Sequence, residues 1–403
     1  MDALLLCGYF EEAVEEEIIR KTRTWVENAA NTFQKKVIAG IKTQKIALTI
    51  VSAPFIGAWP TSYDDRKFNG FEENTSGKIE YVHFNNIWGY RNISRTKSLK
   101  KAVDRFLQTS VDPCKSVIVY SPHTPLLEAA VYAKKLDPSI KICLVVPDLP
   151  QYMNLSKKAH PIYDFFKKID IKHFMELNRQ VDSYVLLTKY MAEPMQVGNR
   201  PYIIVEGIID DEDKIPQEHP KGKVIAYAGK LNESFGVKNL VEAFEIIPDE
   251  DAVLEICGGG ELKGYVEEMC RKDSRIHYKG MVPAHEAAEM LQRADVLVNP
   301  RQNDDEYTKY SFPSKIIEYL MTGNAVVAYM LDGMPEIYKN FIYAPKDSSV
   351  EALAETMKML ITQENNDKRR FADFCQYKNS KLKCSQVAEQ IMRMMQLSKD
   401  GLE

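Results

Sequence analysis

Residues 294–323 read ADVLVNPRQNDDEYTKYSFPSKIIEYLMTG, and this stretch sets the pattern that the rest of the chain repeats. Val296-Leu297-Val298 is a short apolar run of the kind expected from a strand buried on both faces. A polar loop follows, carrying Arg301, Asp304, Asp305, Glu306 and Lys309. Phe312-Pro313-Ser314 then marks the start of a helix, because proline is tolerated in a first turn whose N–H groups have no partner to lose. Lys315-Ile316-Ile317-Glu318-Tyr319-Leu320 continues that helix and Gly323 ends it. The start of such a helix presents free N–H groups and a positive dipole end, and Lys315 and Arg301 add full charges beside it. This combination suits a phosphate.

Strand and helix alternate on both sides of the stretch. Before it, residues 224–229, 252–257 and 276–278 read as strands, and 237–247, 262–271 and 285–293 as helices. After it come a strand at 325–329 and helices at 349–363 and 384–397. The first half has the same character: strands at 3–7, 47–51, 78–84, 116–120, 141–146, 183–187 and 202–205, with helices from just after Phe10 to about Lys35 and at 97–107 and 124–135. Alternation of this kind requires crossover connections, hence parallel sheets covered on both faces. The expectation is an α/β chain of two doubly wound, Rossmann-like domains facing each other across a cleft, where a ligand would lie at the strand ends. They are expected at 1–210 and 211–383, joined through the charged stretch 211–216, with 384–403 a C-terminal helix packing back on the first domain.

Size and composition agree with this division. A chain of 403 residues exceeds what one core usually organises. Its 45% hydrophobic and 27% charged content is that of ordinary globular protein. A net charge of -4 argues against a general nucleic-acid binder. The seven cysteines form no Cys-x-x-Cys pair, and several lie in apolar runs, so they read as buried thiols and point to the cytoplasm. The N-terminal apolar run is too short for a signal peptide, and nothing approaches the length of a membrane span. Any membrane contact is therefore expected to be peripheral, at the inner face. Residues 155–179 read as a longer helix, with Ile162, Phe165, Phe166 and Ile169 at helical spacing among Lys157, Lys158, Lys167, Lys168 and Lys172. Two readings stand: a helix packed on its own domain with a solvated basic face, or a surface that leans on anionic lipid or a lipid-linked substrate.

Single motifs are weak. Gly229-Lys230 ends a strand and Gly236 opens a helix, as a turn or a phosphate loop would, with positive φ or close approach allowed at both glycines. Gly258-Gly259-Gly260 lacks the full Gly-x-Gly-x-x-Gly of a dinucleotide fold and the Lys-Ser/Thr of a P-loop. Glu318, one turn beyond Ser314, can accept the hydroxyls of a ribose or can simply be an exposed acid. Lys230, the triple glycine, Arg301, Lys315 and Glu318 all fall at strand-to-helix ends of one domain, and this common placement favours a donor site.

Residues 220–360 carry a resemblance. GKLNESFGVKNLVEAF, LEICGGGEL, SRIHYKGMVPAHEAAEMLQRADVLVNP and FPSKIIEYLMTGNAVVA resemble, in order and spacing, the donor domain of retaining glycosyltransferases of family 4, the glycosyl transferases group 1, which have the GT-B fold. The resemblance implies a nucleotide-diphosphate-sugar donor, by default UDP, and a glycan or lipid-linked acceptor in polysaccharide or glycolipid assembly. It implies donor binding by Gly8, Gly229, Asn232, Gly258, Gly259, Gly260, Met281, Tyr310, Ser314 and Glu318, with Lys230, Arg301 and Lys315 stabilising the leaving diphosphate. No metal is expected, because no Asp-x-Asp site is evident at a strand end and Asp249-Glu250-Asp251 lies in a turn between helix and strand. Several positions depart from the family. Lys230 replaces its usual arginine and loses bidentate geometry, while Phe235 replaces a lysine. Tyr310 stands where the first acid of the Glu-x7-Glu motif would be, with Asp304, Asp305 and Glu306 nearby to reach the sugar instead. In the first half, Asp148 follows Pro147 where relatives carry His-Asp, and it either orients an acceptor hydroxyl or caps a turn. His123, at another strand end, is the second candidate for acceptor contact. The rival functions are a sugar-nucleotide epimerase of the same fold and an inactive nucleotide-sugar-binding scaffold.

Overall fold

Buried apolar runs become strands in two separate parallel sheets. The computed structural model describes residues 1–24, 26, 28–71, 79–153, 161–212, 222–303, 306–362 and 368–400, and of residues 161–163 and 397–400 the backbone only. The chain divides into two compact units, Met1–Asp211 with Lys381–Glu403, and Glu212–Ser380. We call these unit 1 and unit 2.

Unit 1 contains strands β1 (Asp2–Cys7), β2 (Ala47–Ser52), β3 (Lys67–Phe68), β4 (Ile79–Tyr81), β5 (Phe84–Asn85), β6 (Lys115–Tyr120), β7 (Lys141–Val146), β8 (Ser183–Leu186) and β9 (Tyr202–Ile204). Seven of them form one sheet in the order β4-β2-β1-β6-β7-β8-β9, while β3 and β5 pair separately. Parallel registers such as Leu5↔Ile50 and Leu5↔Ile118 put β1 in the middle. Leu4, Leu5 and Leu6 are fully enclosed, as a strand covered on both faces requires. The helices are α1 (Glu15–Lys21), α2 (Asn28–Thr43), α3 (Arg91–Thr109), α4 (Thr124–Leu136) and α5 (Pro161–Asn178).

Three expectations are corrected here. The helix expected from Phe10 to about Lys35 is two, α1 and α2, and the second runs on to Thr43. The strand expected at 78–84 is β4 and β5, whose residues belong to different sheets because the chain turns between Tyr81 and Phe84. In α5 the apolar spacing marks no buried face, because Phe165, Phe166 and Ile169 are all exposed. Lys157 and Lys158 lie outside the described residues, as does most of the expected linker.

Unit 2 contains β10 (Val224–Ala228), β11 (Val253–Cys257), β12 (Ile276–Tyr278), β13 (Val296–Asn299) and β14 (Ala325–Ala328), in the order β12-β11-β10-β13-β14. Its helices are α6 (Val237–Glu245), α7 (Lys263–Lys272), α8 (Ala284–Arg293), α9 (Lys315–Leu320), α10 (Val350–Thr362) and α11 (Lys368–Lys381). Leu240, Val241 and Phe244 of α6 and Leu353, Met357 and Leu360 of α10 close over Ile225, Leu254, Val296 and Val327 of the sheet. The sequence pattern had left α11 out. Its one strong anchor is Phe374, which is fully buried and packs edge-on against Phe341, with Tyr377 against Tyr338.

The chain then returns to unit 1 as α12 (Cys384–Asp400). Ile209 N–H donates to Leu382 O at 2.8 Å and Cys384 N–H to Ile209 O at 2.9 Å, so the outgoing and returning segments are stitched together. On α2, a Cβ at Gly40 would stand 2.0 Å from Cys384 O. Gly40 is therefore the notch into which the start of α12 fits.

Candidate functional site

Strand order singles out one position in each unit. From β10 the chain steps outward to β11 and β12, then crosses back to place β13 on the other side of β10. In a doubly wound sheet the crevice for a ligand opens where the winding reverses, at the carboxyl ends of those two strands. Here they are β10, which leads into Gly229-Lys230, and β13, which leads through Pro300 into Arg301. Two of the expected cations thus flank the reversal point. Lys230 is exposed, and its ammonium makes no hydrogen bond or ion pair among the described residues. Its carbonyl accepts from Tyr227 Oη at 2.8 Å, which fixes the backbone while the side chain stays available.

Arg301 is held by aromatic rings. Its guanidinium lies 5.5 Å from the Phe235 ring and 6.0 Å from that of Tyr307. Phe235, expected only as a lost phosphate contact, therefore serves as a platform for the arginine. Gly236 makes this possible: its φ of 72° is left-handed, and a Cβ there would come within 2.0 Å of Pro300 O. The close approach brings the start of α6 against the residue that precedes Arg301.

The helix of the opening stretch is shorter than its sequence implied. α9 has six residues, Ser314 is its N-cap without a side-chain bond, and Pro313 lies before the helix instead of in its first turn. So short a helix has a weak macrodipole, and the charge at this point comes mainly from Lys315. Lys315 Nζ meets Glu318 Oε2 at 2.6 Å, with both side chains largely exposed. An exposed pair three residues apart contributes only a few tenths of a kcal/mol, so either group can turn to a ligand at little cost. Tyr319 seats α9. Fully buried, its hydroxyl accepts from Ala228 N–H at 3.0 Å and donates to Ala228 O at 3.2 Å. Burial pushes its phenol well above the ordinary range, so it stays a neutral donor. The bond ties α9 to the residue next to Gly229. Burial likewise raises the Cys257 thiol at the end of β11, against a downward pull from Lys315, which places that lysine near the same edge.

The triple glycine has a reason other than ligand approach. A Cβ at Gly258 would stand 1.8 Å from Gly229 O, and one at Gly260 2.4 Å from Asn232 Oδ1. Leu231 N–H donates to Gly259 O at 2.9 Å. The 229–232 and 258–260 loops are zipped face to face, while a Cβ at Gly259 would stand 3.0 Å from the sulfur of the exposed Met281. Near Tyr310, Lys309 bridges Glu306 at 2.7 Å and lies 5.0 Å from the Tyr310 ring, so Glu306 is engaged within its own loop. Asp304 and Asp305 lie outside the described residues.

In unit 1 the winding reverses between β1 and β6. Gly8 follows the first, and Ser121-Pro122-His123 follows the second. Asp148 follows β7, one strand further out. A Cβ at Gly8 would meet the Phe55 ring at 2.6 Å, and that ring lies 5.4 Å from the His123 ring. His123 is the N-cap of α4, and its Nδ1 is enclosed without a hydrogen-bond partner. Burial, and then the nearby Arg95 and Arg91, hold its pKa well below the usual histidine range, so the imidazole is neutral. Arg95 is fully buried, donating to Pro54 O at 2.9 Å over the Phe84 ring at 4.3 Å. Neither Arg95 nor Phe55 stood out in the sequence, since an arginine in an amphipathic helix reads as solvated. Serine, proline and histidine directly after a buried strand were the signal that could be read.

Comparison with known proteins agrees with this geometry. Residues 209–374 match the family model described as glycosyl transferases group 1. An uncharacterized glycosyltransferase of Methanocaldococcus jannaschii is 23% identical over 215 residues, 51% of this chain and 52% of that protein. A second from the same organism is 26% identical over 138 residues, 33% of this chain and 31% of that protein. The chain thus spans about half the length of the first relative and less of the second. Among solved structures, sucrose-phosphate synthase from Thermosynechococcus elongatus superposes with a TM-score of 0.60 at 12% identity, covering 99% of this chain and 100% of the other. HepE from Anabaena, solved with UDP and glucose, gives 0.57 at 11%, covering 98% and 99%. Such identities establish the fold, which is GT-B, with two Rossmann-like domains. At residues 209–374 the chain is similar to the glycosyl transferases group 1 family.

Proposed function

We propose that the protein transfers a sugar from a nucleotide diphosphate sugar, UDP-sugar first among them, to an acceptor hydroxyl with retention of configuration. The observation that supports this best is the pair of cations, Lys230 and Arg301, on the loops that flank the winding reversal of unit 2. As the glycosidic bond breaks, negative charge grows on the leaving diphosphate, and cations fixed beforehand stabilise that state more than the ground state. Lys230 and Lys315 are the mobile charges and Arg301 the fixed one, with Glu318 left to accept ribose hydroxyls once Lys315 turns to phosphate. Gly259, Met281, Ser314 and Tyr310 border the donor. Neutral His123 at the reversal of unit 1 suits an acceptor hydroxyl better than Asp148, which follows an outer strand. The proposal requires no metal, because these side chains supply the positive charge. The acceptor is a glycan or a lipid-linked sugar of polysaccharide assembly.

Thermal stabilisation by a panel of UDP-, GDP- and ADP-sugars tests the donor, since a ligand at about a hundred times its Kd stabilises by roughly 2.7 kcal/mol. A response to none of them refutes the donor site. Labelled UDP-sugar, with and without acceptor and with the product anomer read by NMR, separates transfer from epimerisation and from binding without turnover. The last outcome is the scaffold reading, which Phe235 and Tyr310 keep in play.

A further inference from the structure

Unit 1 exposes an apolar face that its core does not use. Trp88, Tyr90 and Ile93, at the start of α3, and Phe165, Phe166 and Ile169 of α5 are all at least 47% exposed. The two segments meet, because the Trp88 and Phe166 rings pack edge to face at 6.2 Å. Phe165 and Phe166 contact each other at 5.8 Å in the same way. Among the described residues nothing covers this face. Scattered exposed apolar residues are ordinary, but a contiguous aromatic patch marks a contact surface.

The charges around the patch say what kind of contact. Lys97 and Lys101 follow Ile93 along α3 at four-residue steps, and Lys168 and Lys172 lie beside Ile169 on α5, all four exposed. Lys167 points elsewhere, donating to Gln151 O and Met153 O. The acids of the region are Asp164, Asp170 and Glu176 on α5 and Glu128 on α4, which pairs with Lys100 at 2.8 Å. Of the cations in residues 88–101 and 164–176, Arg95 is buried and Lys100 is paired, so the charge around the patch is that of the four exposed lysines, in a chain whose net charge is -4. A protein interface is depleted of lysine at its centre. Aromatic side chains interleaved with lysines are instead the composition that settles at a lipid headgroup boundary, where rings enter the interface and ammonium groups reach for phosphate.

We propose that this face of unit 1 docks on the anionic surface of a lipid bilayer, with Trp88, Phe165 and Phe166 entering the interface and Lys97, Lys101, Lys168 and Lys172 meeting the headgroups. The proposal does not depend on the donor reading, because it needs no sugar to be tested. Flotation of the full chain is measured with vesicles of phosphatidylcholine alone and of phosphatidylcholine mixed with phosphatidylglycerol. The protein is expected to float with the mixed vesicles and to be released by added salt. The double variants Phe165→Ala/Phe166→Ala and Lys168→Glu/Lys172→Glu each lower the bound fraction about tenfold or more, given the contribution of each lysine near an anionic surface. Their thermal melting stays that of the parent, since the side chains are exposed. If the apolar variant does not fold, the charge variant decides. Failure of the folded parent to bind mixed vesicles overturns the proposal, as does binding that the charge variant leaves unchanged. So does a dimer of the parent that the same variants turn into monomers, which makes the patch a self-interface.

Discussion

Arg301 shows how one residue's role depends on a neighbour that looked like a defect. With a lysine at 235 the guanidinium would face a like charge; with Phe235 it rests on an aromatic face that orients it. Phe235→Ala is therefore expected to weaken donor binding several-fold by loosening Arg301, measured by the nucleotide-sugar thermal response. Phe235→Lys is expected to weaken it also, through repulsion, although it restores the family residue. Lys315→Ala is expected to abolish that response without changing the melting temperature of the free protein, since its bond to Glu318 is exposed. At His123 the prediction concerns pH. Its folded-state pKa is depressed, so below the ordinary value near 6.5 the unfolded chain binds a proton that the folded one does not. Stability is then complete above that pH and falls as pH drops below it, by at most about 1.4 kcal/mol per pH unit. His123→Phe is expected to flatten that part of a denaturation series run from pH 7 to pH 5.

At the scale of elements, what the sequence made legible follows from how each element is buried. Strands such as β1, β6 and β7 were readable because they are enclosed on both faces and so are apolar at nearly every position. Helix α11 was not, because among KRRFADFCQYKNSK only Phe374 and Lys378 are buried. In α5 the spacing was read correctly as helical, but spacing alone does not say whether an apolar stripe faces a core or the outside. The cations of the proposed donor site were legible as residues, yet their placement at a winding reversal depends on strand order, which no local pattern contains. The same holds for Tyr319, whose hydroxyl joins α9 to β10 across the sheet. Tyr319→Phe leaves Ala228 N–H buried without that partner and is expected to cost about 1–3 kcal/mol in urea unfolding. Gly40→Ala, which in an open helix would stabilise, is expected to destabilise by about 1–3 kcal/mol because the added methyl meets Cys384 O.

At the scale of the whole molecule, the two units repeat one plan, with a reversal of winding at the first strand of each sheet. The proposed metal-free chemistry is tested at this scale: if side chains supply the charges, turnover of the intact protein is expected to be unchanged by a chelator. Among the described residues no helix is long and apolar enough to cross a membrane.

The stitch between Ile209, Leu382 and Cys384 makes unit 2 an insertion, with its two ends side by side in the body of unit 1. The order of synthesis follows from this. On the ribosome β1 through β9 emerge before unit 2, but the notch at Gly40 waits for α12, which follows unit 2 in the chain. Unit 2, whose strands and helices are contiguous in the chain, can close before unit 1 is complete, so the half that starts first finishes last. The same adjacency makes residues 212–380 a cassette that can be replaced by the matching segment of a relative without moving the strands that receive it.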